Sequence, residues 1–265
     1  MQHFLKHVYT VWCAIIFIAL LLLLYPFFLI IIANKSWHKH CYYLNKIWAH
    51  VALFLVGIKT QVEGLDQINS KKQYVYCANH FSLLDIVSFG FAPQSVVYVG
   101  KSSLAKIPLF GYMFSKLHVT VNRASPTNSY KALNRAIEKM GDDRSLVMFP
   151  EGGILSKRIP EMTRFKDGAF RAAVTKQIPL VPVSLPDNWI ILPDIKIPLI
   201  SRMKMRMIYH KPIPTIGLNM EDIPALKSKV YDIISNDLKD RQHRQQDEHK
   251  QENLRKDRPF GSFAV

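Results

Sequence analysis

The chain has 265 residues, of which 49% are hydrophobic, and its 35 Lys and Arg outnumber 20 Asp and Glu to give a formal net charge of +15. This composition excludes global disorder, the length suits one α/β domain with an appendage, and the charge favours anionic partners such as phosphorylated small molecules, an acidic carrier protein or anionic lipid. Three distant cysteines without a C-x-x-C pair argue against a disulfide framework and a zinc site, so no metal is expected, and no nucleic-acid-binding motif is present.

An uncharged run from Val11 to Ala33 dominates the amino-terminal part of the chain. About 20 apolar residues suffice to cross the hydrocarbon core of a bilayer as a helix. A cleaved signal peptide would have a shorter apolar region, about 7–15 residues, followed by a small-residue cleavage site, whereas "NKSWHKHC" follows here. Pro26 interrupts the run, so a kinked membrane span and a re-entrant helical hairpin both stay open.

The flanking charges predict how this membrane segment is oriented. One lysine precedes the run and three follow it closely, so the positive-inside tendency places the rest of the chain on the cytoplasmic face. A second apolar run, at residues 47–58, is too short to span and is expected to lie at the membrane surface or to pack on the soluble domain. Residues 1–58 are therefore predicted to be a membrane-associated helical segment.

After the membrane segment, short β-rich runs alternate with helical patterns. The runs "SLVMF" (145–149) and "IPLVPVSL" (178–185) are continuously apolar, which is typical of strands buried on both faces. The alternation predicts an α/β domain over residues 59–240 with a mostly parallel central sheet flanked by helices. "MKMRMIY" (203–209) alternates and predicts a half-exposed strand nearer an edge. Residues 241–265 predict a polar tail, as a solvated helix extension or a disordered segment. Further strands are expected at 73–78, 95–100 and 117–121, and helices at 84–91, 104–115, 128–140, 167–176 and 224–238.

A strand-like run ends in a histidine and an aspartate within "YVYCANHFSLLD" (74–85). On one regular helix His80 and Asp85 would point about 140° apart. They converge only if His80 lies in the turn that leaves the strand and Asp85 in the first helical turn, at the strand end where open α/β sheets bind ligands. An anionic Asp85 bonded to one imidazole nitrogen would leave the other nitrogen free as a base. "SLLD" also fits a capping box with Ser82 as the N-cap, so a structural role for the carboxylate stays open.

Other catalytic motifs fail on inspection. "GKSS" (100–103) resembles the end of a phosphate-binding P-loop, but Ser95 stands where the first glycine is required. No G-x-S-x-G elbow is present, so a serine hydrolase of the usual α/β type lacks its nucleophile. Cys77 and Ser82 flank the histidine, and a buried strand thiol and a helix cap account for them better than nucleophiles do.

Four blocks of the sequence resemble, in order, the motifs of the glycerolipid acyltransferases, that is, the lysophosphatidic acid (1-acylglycerol-3-phosphate) acyltransferases and their relatives. "NHFSLLD" resembles the N-H-x-x-x-x-D motif of that family, and "GKSSLAKIPLFGYMFSKLHVTVNR" resembles its second block. "VMFPEGG", with "FKDGAF" beyond it, resembles the third block, and "IPLVPVS" the fourth. Together the blocks cover residues 74–184.

The resemblance implies a membrane-bound enzyme of phospholipid biosynthesis. Such an enzyme would move a fatty acyl group from acyl-CoA or acyl carrier protein to the free hydroxyl of a lysophospholipid, most simply 1-acylglycerol-3-phosphate. His80 would be the general base and Asp85 would orient it, and the hydroxyl would attack the thioester directly, without an enzyme nucleophile or a cofactor. The resemblance also implies that the acceptor's glycerol-phosphate end is bound at Arg123, Glu151 and Gly152, with Gly153 beside them and Lys101 as a weaker candidate.

One departure from the family pattern leaves the acceptor open. After Glu-Gly the family commonly continues Thr-Arg, whereas residues 153–154 here are Gly-Ile, so a phosphate-binding arginine is missing from its usual place. Lys157, Arg158 and Arg164 are candidate replacements, and another lysophospholipid or an aminolipid stays open as acceptor. Two other functions also stay open: a thioesterase or lysolipid hydrolase in which His80 activates water, and a lipid-binding or scaffold protein with a vestigial site.

Overall fold

A central sheet organises the protein, whose computed structural model describes residues 2–122 and 125–256. Within these residues the strands are β1 (Thr60–Glu63), β2 (Val75–Ala78), β3 (Val96–Lys101), β4 (Val119–Val121), β5 (Ser145–Met148), β6 (Leu180–Ser184) and β7 (Met205–Tyr209). They form one sheet of order β1-β7-β6-β2-β5-β3-β4, in which only the β6–β7 pair is antiparallel. The predicted α/β fold with a mostly parallel sheet is confirmed.

Helices connect and cover these strands. In the described part of the chain they are α1 (Gln2–Ala33), α2 (Cys41–Leu55), α3 (Leu84–Ser88), α4 (Phe110–Leu117), α5 (Pro126–Met140), α6 (Gly168–Lys176), α7 (Asn188–Ile191) and α8 (Ile223–Lys256). The predicted boundary between the domain and the polar tail, at residue 240, falls inside α8, so the tail begins as a helix extension up to Lys256, and residues 257–265 lie outside the described part.

The sheet is buried on both faces because the side chains of its central strands alternate between two cores. Val75 and Cys77 of β2 pack with side chains of α5, α6 and α8, whereas Tyr76 and Ala78 face the opposite layer with Phe89. All four β2 residues are buried. This two-sided burial explains why the central strands lack the apolar–polar alternation of a half-exposed strand.

The amino-terminal helices form an antiparallel hairpin that packs on the body. The Trp48 indole N–H donates to the carbonyl of Phe17 at 3.1 Å, and the Tyr9 hydroxyl donates to that of Val56 at 2.8 Å. Gly90 of the body meets α2 so closely that a Cβ at this position would lie 2.3 Å from the Cβ of Ala49. Pro26 lies inside a continuous α1 and the partner of α1 in the hairpin is α2, so the chain does not turn back at Pro26 as the predicted re-entrant hairpin required.

α1 contacts the α/β body along much of its length. The Thr10 hydroxyl accepts the Ile200 N–H at 2.9 Å, the Tyr25 hydroxyl donates to the Leu109 carbonyl at 3.2 Å, and Phe28 is buried against α4. Phe28 follows Thr10 by 18 residues, about 27 Å of helix. Residues 3–33 are long and apolar enough to cross a membrane, and most of them are exposed. The contacts place this apolar stretch alongside the body rather than beyond it.

Three elements differ from the sequence prediction. The edge strand β1 was not predicted, because "TQVE" is short and polar. β7 lies one strand from the edge, but the predicted half exposure is wrong, since only Arg206 of its five residues is partly exposed. Asp187 forms an ion pair with Arg206 at 2.6 Å, and the segment of α7, which precedes β7 in the chain, covers the face of the strand that carries Arg206. Helix α4 begins at Phe110 rather than at residue 104, since Pro108 disfavours helical backbone at the residue before it.

Candidate active site

The N-H-x-x-x-x-D segment leaves the carboxyl end of β2, between its neighbours β5 and β6. Asn79, the first residue after the strand, is fully buried and ties this end to the segment after β6. Its side-chain N–H donates to the Leu185 carbonyl at 3.0 Å, and its side-chain oxygen accepts the Leu185 N–H at 2.8 Å. The next residue, His80, is thereby held at the edge of the sheet where open α/β folds bind ligands.

His80 and Asp85 converge in the way that their spacing requires. His80 lies in the turn after β2 and Asp85 in the first turn of α3, so that Nδ1 of the imidazole lies 2.9 Å from Oδ2 of the carboxylate. The same oxygen accepts the backbone N–H groups of Phe81 at 2.8 Å and Ser82 at 2.9 Å. α3 begins after Leu83 rather than after Ser82, and one carboxylate oxygen bonds both the histidine and the backbone of the turn before the helix.

The surroundings determine which imidazole nitrogen is free. Asp85 is fully buried and only donors face it, so it acts as an acceptor and Nδ1 of His80 carries the proton. The ring of Phe149 stacks on the imidazole with 4.0 Å between centroids, which holds its orientation. Nε2 is left without a hydrogen bond from any described residue and belongs to a side chain that lines a cavity. A neutral imidazole with an unprotonated Nε2 at a cavity is equipped to accept a proton.

Sequence reasoning missed a second contact of Asp85. The side-chain N–H of Asn188 donates to Asp85 Oδ1 at 2.9 Å, across 103 residues of sequence. Asn188 is fully buried at the start of α7. No local pattern signals such a pairing, because only the adjacency of β2 and β6 brings the two segments together.

Glu151 follows β5 but does not lie on the cavity wall. Its Oε1 accepts the His80 N–H at 2.8 Å, and its Oε2 accepts both the N–H and the hydroxyl of Thr163, at 2.9 and 3.1 Å. Burial raises the pKa of Glu151, and the bonds from Thr163 and His80 oppose this shift. Glu151 therefore holds the backbone of His80 in place, and its predicted contact with the acceptor stays a prediction.

A cavity of about 690 Å³ opens beside His80. Lys101, Gly152 and Gly153 line it, and so does Lys166, which was not among the predicted site residues. Gly152 has a φ of 82°, and a Cβ there would lie 2.6 Å from the Lys166 ammonium, so glycine lets this lysine lie across the turn. The Gly152 N–H donates to the Phe149 carbonyl at 2.9 Å within the turn.

Not every predicted cation lies on the cavity wall. The candidate replacements for the missing arginine, Lys157, Arg158 and Arg164, are absent from the described wall, and Lys166 holds the place beside Gly152. Arg123 lies outside the described residues, so its predicted role stays a prediction. Neither Lys101 nor Lys166 forms an ion pair with another described residue. Two ammonium groups without an ion-pair partner among the described residues therefore line the cavity, whose wall also contains the carboxylate of Asp194.

The side chains next to His80 are not placed to act as nucleophiles. Cys77 is fully buried in the core under α5 and α6, and burial raises the pKa of its thiol. The Ser82 hydroxyl donates to the Leu192 carbonyl at 2.7 Å and accepts the Leu84 N–H at 3.1 Å. In the described part of the chain no three His, Cys, Asp or Glu side chains cluster as metal ligands.

Comparisons with known proteins identify relatives of this chain. The sequence model of the family described as Acyltransferase matches residues 59–186. The chain is 30% identical over 202 residues to the chloroplastic 1-acyl-sn-glycerol-3-phosphate acyltransferase BAT2 of Brassica napus, covering 76% of this chain and 57% of that protein. It is 32% identical over 195 residues to the 1-acyl-sn-glycerol-3-phosphate acyltransferase of Saccharomyces cerevisiae, covering 72% and 63%.

A solved structure shares the fold. The crystal structure of the 1-acyl-sn-glycerophosphate acyltransferase PlsC of Thermotoga maritima superposes with a TM-score of 0.72 at 21% identity, covering 89% of this chain and 98% of that one. The chain spans about three fifths of the length of the two curated relatives. From its ordered motifs, its fold and these relatives, the chain belongs to the glycerolipid acyltransferase family.

Proposed function

We propose that the protein transfers a fatty acyl group from a thioester donor to the free hydroxyl of 1-acylglycerol-3-phosphate. The observation that carries the proposal is the His80 imidazole, which is bonded to Asp85 through Nδ1 and leaves Nε2 free beside a cavity lined by Lys101 and Lys166. The names of the curated relatives support the choice of acceptor.

The reaction needs one proton carrier and no enzyme nucleophile. Nε2 of His80 takes the proton of the acceptor hydroxyl while the hydroxyl oxygen attacks the thioester carbonyl. Asp85 stabilises the imidazolium that forms. When the tetrahedral intermediate collapses, the C–S bond breaks, the thiolate leaves, and the imidazolium returns its proton to the sulfur. The products are the ester and the free thiol, and no cofactor takes part. General base catalysis of this kind contributes about 10²–10⁴-fold.

The acceptor's phosphate binds to Lys101 and Lys166. Both line the cavity that contains His80, and Lys166 lies over Gly152, next to the position of the missing arginine. A charge-assisted hydrogen bond to a phosphate contributes about 1.5–3 kcal/mol. Two ammonium groups therefore provide enough free energy to favour a phosphomonoester over an uncharged acceptor.

The protein binds to one leaflet of the membrane through its hairpin. α1 packs against the body for about 27 Å, so it cannot cross the bilayer without drawing the body into the hydrocarbon core. Exposed apolar side chains at or next to the cavity wall extend this surface, namely Leu83, Leu155, Ile195 and Ile197. The lysines around α1 are attracted by the anionic lipid of the cytoplasmic leaflet, which supports a location of the site on that face.

An acyl-transfer assay tests the proposal. Purified protein in lipid vesicles is given radiolabelled acyl-CoA or acyl carrier protein with 1-acylglycerol-3-phosphate, lysophosphatidylcholine or monoacylglycerol. We expect a diacyl product, with 1-acylglycerol-3-phosphate as the fastest acceptor. His80→Ala should abolish transfer and leave vesicle binding unchanged. Free fatty acid formed at the same rate without acceptor would show a hydrolase instead, and transfer by His80→Ala would contradict the mechanism.

A further inference from the structure

Asn188 connects the segment after β6 to the carboxylate of Asp85. Its amide nitrogen donates to Asp85 Oδ1 at 2.9 Å and to the Ser88 hydroxyl oxygen at 2.8 Å, and the side chain is fully buried. We propose that Asn188 is a positioning residue for acyl transfer, which keeps the Asp85 carboxylate turned so that Oδ2 faces His80. This inference rests on the proposed function, since it assigns a residue to that reaction.

The orientation of the Asn188 amide follows from its two partners. The Ser88 hydroxyl donates its proton to the Leu84 carbonyl at 3.0 Å, so a lone pair faces Asn188. The Asp85 carboxylate can only accept. Both partners therefore require N–H groups, and a flipped amide would set its oxygen against two acceptors. The two protons of the amide nitrogen are both used.

The other end of the same amide shows that this arrangement has a cost. Asn188 Oδ1 is buried and has no hydrogen-bond partner among the described residues. A buried unsatisfied acceptor is unfavourable, and each one in a folded protein calls for an explanation. A small apolar side chain at this position would avoid the cost but would leave Asp85 Oδ1 without a donor. The placement therefore favours a requirement for the donor over a packing role.

The donor matters because the two carboxylate oxygens of Asp85 are held unequally. Oδ2 accepts three hydrogen bonds, from His80, Phe81 and Ser82, whereas Asn188 makes the one bond recorded for Oδ1. Without it Oδ1 is a buried acceptor with no donor, and the carboxylate can turn about its Cβ–Cγ bond within the limits set by the three bonds to Oδ2, which lengthens the contact with Nδ1. A loosened Oδ2 stabilises the imidazolium less well, so the chemical step slows.

Asn188 does not line the cavity, so its loss should leave substrate binding intact. Asn188→Leu keeps the approximate volume and removes both hydrogen bonds. We expect kcat to fall about 10–100-fold, the range found when a hydrogen-bond partner that orients a metal-bound side chain is removed, with KM for donor and acceptor within about threefold of wild type. Ser88→Ala keeps the Asn188 donor but removes one of the two acceptors that orient it, and it should lower kcat by a smaller factor.

A double-mutant cycle separates positioning from support of the fold. In an Asp85→Asn background, Asn188→Leu should lower kcat less than about threefold, because the carboxylate that it orients is already gone. Thr215→Val is the matched control: Thr215 is fully buried and bonds two carbonyls far from the site, at Ile178 and Ala173. This control should lower the midpoint of thermal unfolding and leave kcat unchanged.

The experiment uses the full chain in lipid vesicles with radiolabelled acyl-CoA and 1-acylglycerol-3-phosphate. An unchanged kcat for Asn188→Leu, a change confined to KM, or the same loss of kcat with and without Asp85 would overturn the inference. If Asn188→Leu does not fold, a kcat of Ser88→Ala equal to wild type overturns it. A wild-type protein that transfers no acyl group would instead refute the proposed function.

Discussion

Asp85→Asn tests the central contact of the site with the smallest change of shape. The substitution replaces one carboxylate oxygen by an amide nitrogen of similar size. With the amide oxygen in place of Oδ2, the bonds from His80, Phe81 and Ser82 remain as neutral hydrogen bonds, while the new NH₂ group faces the donor of Asn188. The three bonds to the remaining oxygen hold the turn, so the fold is expected to persist. The negative charge beside the imidazole is lost, and so is the bond from Asn188, whose N–H now faces another N–H.

The size of the effect follows from that charge. During the reaction the imidazole becomes an imidazolium, with its charge about 4 Å from the carboxylate. At an effective dielectric constant of about 20, two unit charges at this separation attract by about 4 kcal/mol. Since each 1.4 kcal/mol corresponds to a factor of ten in rate, we expect kcat to fall about 10³-fold. KM should stay within about threefold of wild type, because Asp85 does not line the cavity.

The assay measures initial rates of diacyl product with purified protein in vesicles, over a range of donor and acceptor concentrations. Asp66→Asn is the control, since it removes a carboxylate from an exposed turn. Thermal unfolding of both variants checks that the loss is catalytic. A kcat for Asp85→Asn within threefold of wild type would show that the carboxylate only caps α3, and the electrostatic argument would fail.

Three further predictions concern other parts of the structure. Lys166→Gln should raise KM for 1-acylglycerol-3-phosphate about tenfold or more in initial-rate assays and leave KM for the acyl donor unchanged. Lys157 is not part of the described cavity wall, so Lys157→Gln should change neither KM, and equal effects of the two substitutions on the acceptor KM would contradict the phosphate site. Burial raises the pKa of Glu151, so the folded protein keeps the carboxyl proton to higher pH than the unfolded chain does. The free energy of unfolding, measured by urea titration, should therefore fall as pH rises from the ordinary glutamate pKa towards the raised one. Glu151→Gln should remove this pH dependence, and an unchanged pH dependence in the variant would assign it to other groups. Gly90→Val should overpack the contact with α2 and cost about 1–3 kcal/mol, seen as a lower thermal midpoint and faster proteolysis of the hairpin, and a wild-type midpoint would show that the contact adapts.

The features that could be predicted from the sequence are local ones. The spacing of His80 and Asp85 is satisfied by one strand, one turn and one helical turn, all within a few residues, and the continuous apolar runs indicated strands buried on both faces. The long apolar helix followed from length and composition, but its pairing with α2 did not, and the structure accommodates Pro26 within a continuous α1.

The features that escaped prediction depend on distant segments. Asn188 meets Asp85 only because β6 pairs with β2, and Thr163 reaches Glu151 through a loop that returns to the end of β5. In the sequence Lys166 is not distinguishable from other surface cations; its place at the cavity depends on the turn at Gly152, whose positive φ lets the lysine side chain pack over the backbone. In each case the sequence supplies a polar residue with no local partner, and the tertiary fold determines what it touches.

The underside of α3 rests on the hairpin. Leu84, the neighbour of Asp85, shares one apolar cluster with Leu53 and Val56 of the hairpin region and with Ile191 next to the Asn188 segment. Deleting the first 58 residues to obtain a water-soluble fragment would therefore remove apolar contacts of α3, which carries Asp85, and of the Asn188 segment, which bonds to Asp85. The hairpin and the reaction centre therefore form one packed unit, and replacing the hairpin by an unrelated helical segment should lower kcat even where the α/β domain still folds.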